Sequence, residues 1–253
     1  PISSTLDTPG PMTKSVVDNA IFMDAMSGYD QSDKASKEIN DEYFKNGFRN
    51  QLKGVRLGAL KPLLSDSIYA LNVEKLRKAG AEIIEITPPQ ISFNGFLTLL
   101  NIDMKHDLPA YLANNADKAV SIKNVKDAVD FNLKDTLLRA PYGQQLFQGI
   151  VNDKTTLEEL AIVKNNLKSE GEKYLKSLQD ENLDAILSIN NYHSGIAAVS
   201  FHPTLTVPMG YKDSGEPISL TFVGLPFSER KLLEIGYAFE QLTKARKIPI
   251  NYQ

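Results

Sequence analysis

Residues 55–86 carry the pattern that most restricts what this chain can become. Val55-Arg56-Leu57-Gly58-Ala59-Leu60 reads as a strand and Ser67 to Lys78 as a helix closed by Gly80. Ala81-Glu82-Ile83-Ile84-Glu85-Ile86 then alternates as a second strand and stops at Pro88-Pro89. Strand, helix and strand within about thirty residues make a βαβ unit, whose strands run parallel and whose crossover is right-handed. Gly54 and Gly58 flank and enter the first strand, and a structural role is expected of both.

The rest of the chain is organised around that unit. Residues 1–28 read as coil followed by a helix from Lys14 to Ser27, with Val16, Val17, Ala20, Ile21 and Met23 on its apolar face. Residues 29–53, with Gln31, Ser32, Asp33, Lys34 and Lys37, look like a polar surface excursion. The stretch 91–180 is mainly helical. A helix from Phe93 to Ala113 should kink or end at Pro109, and a second runs from Lys123 to Leu138. A third is opened by the capping box Thr155-x-x-Glu158 and carries Leu157, Leu160, Leu167, Tyr174 and Leu178 on one side. Residues 183–253 return to α/β alternation: strands at 184–189, at 204–208 with Pro208 ending it or lying at an edge, and at 218–223. The tight Asp213-Ser214-Gly215 turn implies an antiparallel hairpin, so the sheet is mixed. Ser228 should cap a final helix with Leu232, Ile235, Phe239 and Leu242 inward. One α/β domain over 1–253, with the βαβ unit spanning 54–90, is the expected fold class: a mixed β-sheet flanked by helices.

Composition removes whole classes of function. The 31 acidic and 28 basic side chains leave a formal charge of −3, which argues against a nucleic-acid binder. There is no Cys, so disulfide, thiolate and zinc-thiolate chemistry are out. No apolar run approaches the roughly 18 residues of a membrane span, and no basic-then-apolar leader is visible, which favours a cytoplasmic setting. The dinucleotide turn, the phosphate-binding P-loop, the nucleophile elbow and His-Glu-x-x-His are all absent. The pairs Asp41-Glu42, Glu158-Glu159 and Asp180-Glu181 read as solvated surface.

Three histidines remain. His106 reads as a solvated helix residue. His193 and His202 bracket a segment just beyond the strand that ends at Ile189, where α/β proteins place ligand-contacting loops. Asn190, Asn191, Tyr192 and His202 are therefore the candidate pocket wall, against the alternative of a surface turn held by its own Asn hydrogen bonds. A Ser194–His202 pair has nothing in the sequence to orient it.

Two segments reach further. Ser4-Thr5-Leu6-Asp7-Thr8-Pro9-Gly10-Pro11-Met12-Thr13-Lys14-Ser15-Val16-Val17-Asp18 resembles the stretch that follows the catalytic core in the amidase signature family. Pro203-Thr204-Leu205-Thr206-Val207-Pro208-Met209-Gly210, then Gly215 to Gly224, Leu232-Leu233 and Ala238-Phe239-Glu240 are similar to that family's C-terminal signature. Phe201-His202 is bulkier than the small residues the family usually carries there, which would narrow a pocket and alter substrate preference.

The resemblance implies hydrolysis of an amide C–N bond by a Ser nucleophile, a second Ser in a cis peptide and a Lys base, with no metal and no cofactor. It implies that all three groups lie before the Ser-x-Asp-x-x-Gly-Pro segment, so no catalytic residue is expected within this chain. The expectation is the C-terminal segment of an amidase, inactive alone. The opening Pro1 in place of Met agrees with a processed precursor or a fragment. Its expected partners are a small-molecule amide and the missing N-terminal catalytic part, with no nucleic acid and no membrane. Self-association through the exposed surface is also expected. The alternatives are a non-catalytic α/β module that binds a small ligand, and a subunit that completes an active site with another chain.

Overall fold

The computed structural model describes residues 1–249 apart from 34, 39–41 and 45–46. Lys34 and Asp41 of the polar excursion thus lie outside the described residues. In chain order the elements are α1 (Val16–Met26), β1 (Arg56–Leu60), α2 (Ser67–Lys78), β2 (Glu82–Ile86) and α3 (Phe96–Asn115). They continue with α4 (Val125–Leu133), α5 (Thr136–Arg139), α6 (Gln145–Asn152), α7 (Leu157–Leu175), α8 (Ser177–Asp180) and β3 (Ala185–Ile189). The last are α9 (Ser194–Val199), β4 (Thr204–Tyr211), β5 (Pro217–Val223) and α10 (Glu229–Thr243). Two compact units emerge: Pro1–Pro9 with Ile91–Glu170, and Gly10–Gln90 with Gly171 onward. No helix among the described residues is long and apolar enough to cross a membrane.

The second unit holds one mixed sheet in the order β2-β1-β3-β5-β4. β1 runs parallel to β2 and to β3, while β5 is antiparallel to β3 and β4. α2 closes the βαβ unit. The Asp66 carboxylate caps it by accepting from the Ile68 and Tyr69 N–H groups at 2.9 Å, and Lys75, Arg77 and Lys78 sit at its negative end. Gly80 at φ +103° ends it in a conformation few other residues adopt. Gly58 is tightly packed: an added Cβ would lie 2.7 Å from the Leu183 side-chain end, which would have to shift.

Both faces of the sheet are covered. On one, Leu57, Ala59, Leu187 and Phe222 pack with Tyr69 and Leu76 of α2 and with Leu232, Ile235 and Phe239 of α10. On the other, Leu60, Ile186 and Val223 meet Leu175, Leu178 and Ala197. All five β3 residues are buried, as expected of a central strand covered on both sides. Tyr43 and Leu52, placed by the sequence in a polar excursion, are buried in the first of these layers. Leu242, expected inward, is 41% exposed, and Leu157 is 56% exposed; each lies at an end of its helix, Leu242 in the last turn of α10 and Leu157 at the first position of α7. Ser228 precedes α10 without capping it; its hydroxyl donates to the Leu225 carbonyl at 2.6 Å instead.

The first unit is helical. α3 does not end at Pro109 but runs through it to Asn115. The capping box of α7 is one residue later than the sequence suggested. The Glu159 carboxylate accepts from the Thr156 N–H at 2.8 Å, and Thr156 Oγ1 accepts from the Glu159 N–H at 3.2 Å. The Thr155 hydroxyl is committed to Asp153 at 2.7 Å. Within this unit Asp103, nearly buried, accepts from the Ser3 hydroxyl at 2.6 Å and pairs with Lys164 at 2.7 Å. Burial alone would raise the Asp103 carboxyl, but the hydrogen bonds from Lys164, Ser3 and Thr5 outweigh it and hold the group below the usual carboxylate range.

Two outcomes follow. Tyr69 is fully buried, and its hydroxyl accepts from the Leu60 N–H at 3.1 Å and donates to the Leu187 carbonyl at 3.0 Å. Tyr69→Phe strands both backbone groups and should cost about 1–3 kcal/mol in denaturant unfolding; an unchanged midpoint would refute the bridging role. Asp103→Asn should cost a similar amount at neutral pH. Because the folded pKa is depressed, the carboxylate's contribution is present above the unfolded value of about 3.9 and disappears as pH falls through the lower folded value. The gap between wild type and Asp103→Asn should therefore close on acidification from pH 5 toward 2.

Candidate functional site

β3 ends at Ile189, and the next residue turns the chain. Asn190 adopts φ +46°, in the left-handed region where Asn is tolerated. Its N–H donates to the Ser219 carbonyl at 3.0 Å, its Oδ1 accepts from the Ser219 N–H at 2.8 Å, and its carbonyl accepts from the Thr221 hydroxyl at 2.6 Å. Asn190 thus welds the end of β3 to β5, and only its Nδ2 is left for a ligand. Asn191 uses its carbonyl to receive the Ser194 N–H at 3.1 Å and the Ser194 hydroxyl at 2.9 Å. Its exposed side-chain amide carries no hydrogen bond among the described residues.

Asn190 and Asn191 line an open pocket of about 290 Å³ together with Ser194, Thr204, Thr206 and Thr221. Tyr192, 61% exposed, and His202 are not among its lining residues. The four candidates are therefore close in sequence, and the pocket gathers two of them. The pocket lining is uncharged: two carboxamides and four hydroxyls, of which Thr206 and Thr221 bond each other at 2.9 Å. Such a surface offers donors and acceptors to a neutral polar ligand and no titratable group.

The Ser194–His202 pair does not form. Ser194 donates to Asn191, while His202 Nδ1–H donates to the Ser200 carbonyl at 2.8 Å, which leaves Nε2 without the proton in the neutral ring. Burial lowers the His202 pKa, against the pull of the Ser200 carbonyl and of Glu172. His106 lies exposed on α3, as its polar neighbourhood suggested.

The arrangement that sequence reasoning missed is centred on His193, next in sequence to the pocket residue Ser194. His193, the residue just before α9, is held on both ring nitrogens: Nδ1 stands 2.5 Å from the Ser188 hydroxyl and Nε2 2.8 Å from the Tyr174 hydroxyl. Either Ser188 donates to Nδ1 and Nε2–H donates to Tyr174, or the reverse tautomer holds. Burial lowers the His193 pKa and raises that of Tyr174, so the whole chain of groups is neutral near pH 7. The one available signal was Ser188, a polar residue in an otherwise apolar strand, which needs a partner when buried. Among the described residues no three His, Asp or Glu side chains converge as a metal-binding group.

The residues that carry the resemblance in the first eighteen positions are fixings. The Asp7 carboxylate accepts from the N–H groups of Ile2 and Ser3, and Asp107 from that of Ser4. Ser15 Oγ caps α1 by accepting from the Asp18 N–H, and Asn19 Nδ2 donates to the Pro11 carbonyl.

Comparison with known proteins is consistent throughout. The family model described as Amidase matches residues 1–190. A probable amidase of Arabidopsis thaliana is 31% identical over 98% of this chain and 51% of its own length. Among solved structures, an amidase family protein from Bacillus anthracis is 33% identical with a TM-score of 0.90, over 98% of this chain and 51% of that one. The peptide amidase from Stenotrophomonas maltophilia is 28% identical with a TM-score of 0.87, over 98% of this chain and 56% of that one. The chain thus spans about half the length of the relatives it matches. With the family model covering well over half of its residues, this polypeptide belongs to the amidase signature family.

Proposed function

We propose that these residues serve the hydrolysis of a carboxylic amide C–N bond, as the scaffold and one pocket wall of an amidase. The observation that carries the reading is the alignment of nearly the whole chain with amidases over only about half of their length. The pocket chemistry supports it. A neutral amide needs donors and acceptors without competing charge, and Asn191, Ser194, Thr204 and Thr206 offer that combination at the C-terminal end of a central strand.

The bond-breaking groups belong elsewhere in this reading. The family's Ser nucleophile, bridging Ser and Lys base correspond to no residue of this sequence. Ser188 is buried against His193, and Ser194 is spent on Asn191, so neither hydroxyl is poised as a nucleophile over the pocket. In the longer polypeptide, a neutral Lys would take a proton through the bridging Ser. The activated Ser would attack the amide carbonyl, and backbone N–H groups would hold the oxyanion. The side-chain amide of Asn191 is the group proposed to meet the substrate from this side.

A serine-reactive fluorophosphonate should leave the 253-residue chain unlabelled and label a polypeptide extended to the relatives' full length. Specific labelling of the short chain would overturn the assignment. Failure of the long one to label or to hydrolyse amides, with ligand binding kept, would favour the non-catalytic binding module. In the active long form, Asn191→Ala should raise KM about 2- to 10-fold with little change in kcat, the signature of one lost hydrogen bond to substrate. An unchanged KM would remove Asn191 from the wall.

A further inference from the structure

A second cavity in the sheet-bearing unit has the opposite character to the uncharged pocket at Asn190. It measures about 640 Å³, and its lining holds four cations, Arg49, Lys53, Arg230 and Lys231, against one carboxylate, Glu234. The two cavities share no lining residue.

Two segments far apart in the chain build it, and both are anchored. Arg49 and Lys53 belong to the run before β1, where Leu52 is buried against the sheet. The Val55 N–H donates to the Leu52 carbonyl at 3.1 Å, and the Glu82 N–H donates to the Val55 carbonyl at 2.8 Å. Gly54 turns the chain between them at φ +85°. Arg230 and Lys231 stand in the first turn of α10, next to Leu232 and Leu233, which are buried in the same layer. The backbone beneath all four cations is therefore fixed.

Their charge is not matched within the protein. Lys231 Nζ stands 3.7 Å from Asp184 and Arg230 Nε 3.5 Å from Glu234, and Arg230 Nη1 also donates to the Glu42 carbonyl. The side chains of Arg49 and Lys53 have no hydrogen bond or ion pair among the described residues. The two nearby carboxylates thus answer two of the four cations. Arg230 and Lys231 moreover oppose the dipole of α10, whose positive end lies at that first turn, and an anion between the two segments would offset both repulsions.

We infer that this cavity binds a small phosphate-bearing molecule, its phosphoryl group lying between Arg49 and Lys53 on one side and Arg230 and Lys231 on the other. A monoanion would merely replace Glu234 or Asp184 at one cation. Two unanswered cations match a phosphate monoester, which carries about −1.5 to −2 at pH 7. The arginine forks take its oxygens in pairs, and the lysines add charge without a fixed geometry. The volume lies within the roughly 300–1,000 Å³ of small-molecule sites, so the phosphoryl group is one end of the ligand. A long polyanion is disfavoured by the chain's net charge of −3. The site goes beyond the amidase reading and does not depend on it.

The test is calorimetric titration of the 253-residue chain with phenyl phosphate, with malonate and a short single-stranded oligonucleotide as rival ligands. Phenyl phosphate should bind saturably with a Kd below about 1 mM, and more tightly than either rival. Arg49→Gln combined with Lys53→Gln should weaken it roughly 10-fold or more, while the unfolding temperature without ligand stays the same. Lys118→Gln combined with Lys123→Gln removes the same charge from exposed positions in the first unit and should leave the affinity unchanged. An equal loss in both double variants would reduce the attraction to general charge and overturn the site. Glu234→Gln removes the competing carboxylate and should tighten binding about 2- to 5-fold, the worth of one exposed ion pair; unchanged or weaker binding would place the anion elsewhere. The polypeptide of the relatives' full length should bind phenyl phosphate equally well. No saturable binding in either form, or preference for malonate or the oligonucleotide, would overturn the inference.

Discussion

The Tyr69 hydroxyl is the point on which the sheet's working end depends. The β1–β3 ladder runs from Leu57–Ala185 to Ala59–Leu187 and stops. Where a continued ladder would join the Leu60 N–H to the Leu187 carbonyl, the phenol stands between them, accepting from one and donating to the other. A side chain from α2 therefore parts the C-terminal ends of two parallel strands without leaving either backbone group unpaired. The next residue after Leu187 is Ser188, which binds His193, and two residues further on Asn190 turns the chain into the pocket. Burial also pushes the Tyr69 pKa well above that of free tyrosine, so it remains a donor throughout the working range.

The polar groups around His193 are arranged to be inert. Ser188, His193 and Tyr174 satisfy one another in a buried, neutral network that ties β3, the start of α9 and the end of α7. Its geometry has two thirds of the look of a hydrolytic triad, but the serine is 1% exposed and no carboxylate orients the ring. A Tyr hydroxyl in that place can hold a tautomer but cannot stabilise an imidazolium. The network fixes the loop that presents Asn190 and Asn191, which makes it a positioning device rather than a source of chemistry.

Much of this was legible in the sequence where local physics decides. The βαβ unit showed through its change of apolar period, the hairpin through Asp213-Ser214-Gly215, and the edge position of β4 through Pro208, which lies in an edge strand that continues to Tyr211. The reading failed where a distant or competing partner decides. Thr155 would cap α7 had its hydroxyl not been taken by Asp153. Pro109 removes only one helical hydrogen bond, and α3 has thirteen residues before it and six after it. At the site, Asn190 and Asn191 were found because they follow a strand end. His193 was seen only as a bracket of the loop, because Tyr174 lies nineteen residues away and Ser188 on another element.

A family can be plain in a sequence while its chemistry is not, and this chain shows why. The stretch that carries the resemblance is made of Ser, Asp, Gly and Pro, residue types that also build active sites. Yet Ser3 is held by Asp103, Asp7 folds back on the N–H groups before it, and Ser15 with Asp18 caps a helix whose first N–H, at Val16, is received by Glu240. Each of these hydroxyls and carboxylates is committed to a turn, a helix end or a tertiary contact. Such bonds tolerate few substitutes, because the geometry of an Asx turn or a cap accepts only short polar side chains. A pattern that specifies backbone is thus as tightly constrained as one that breaks bonds. The way to tell the two apart is to ask, residue by residue, whether any polar group is left over to act.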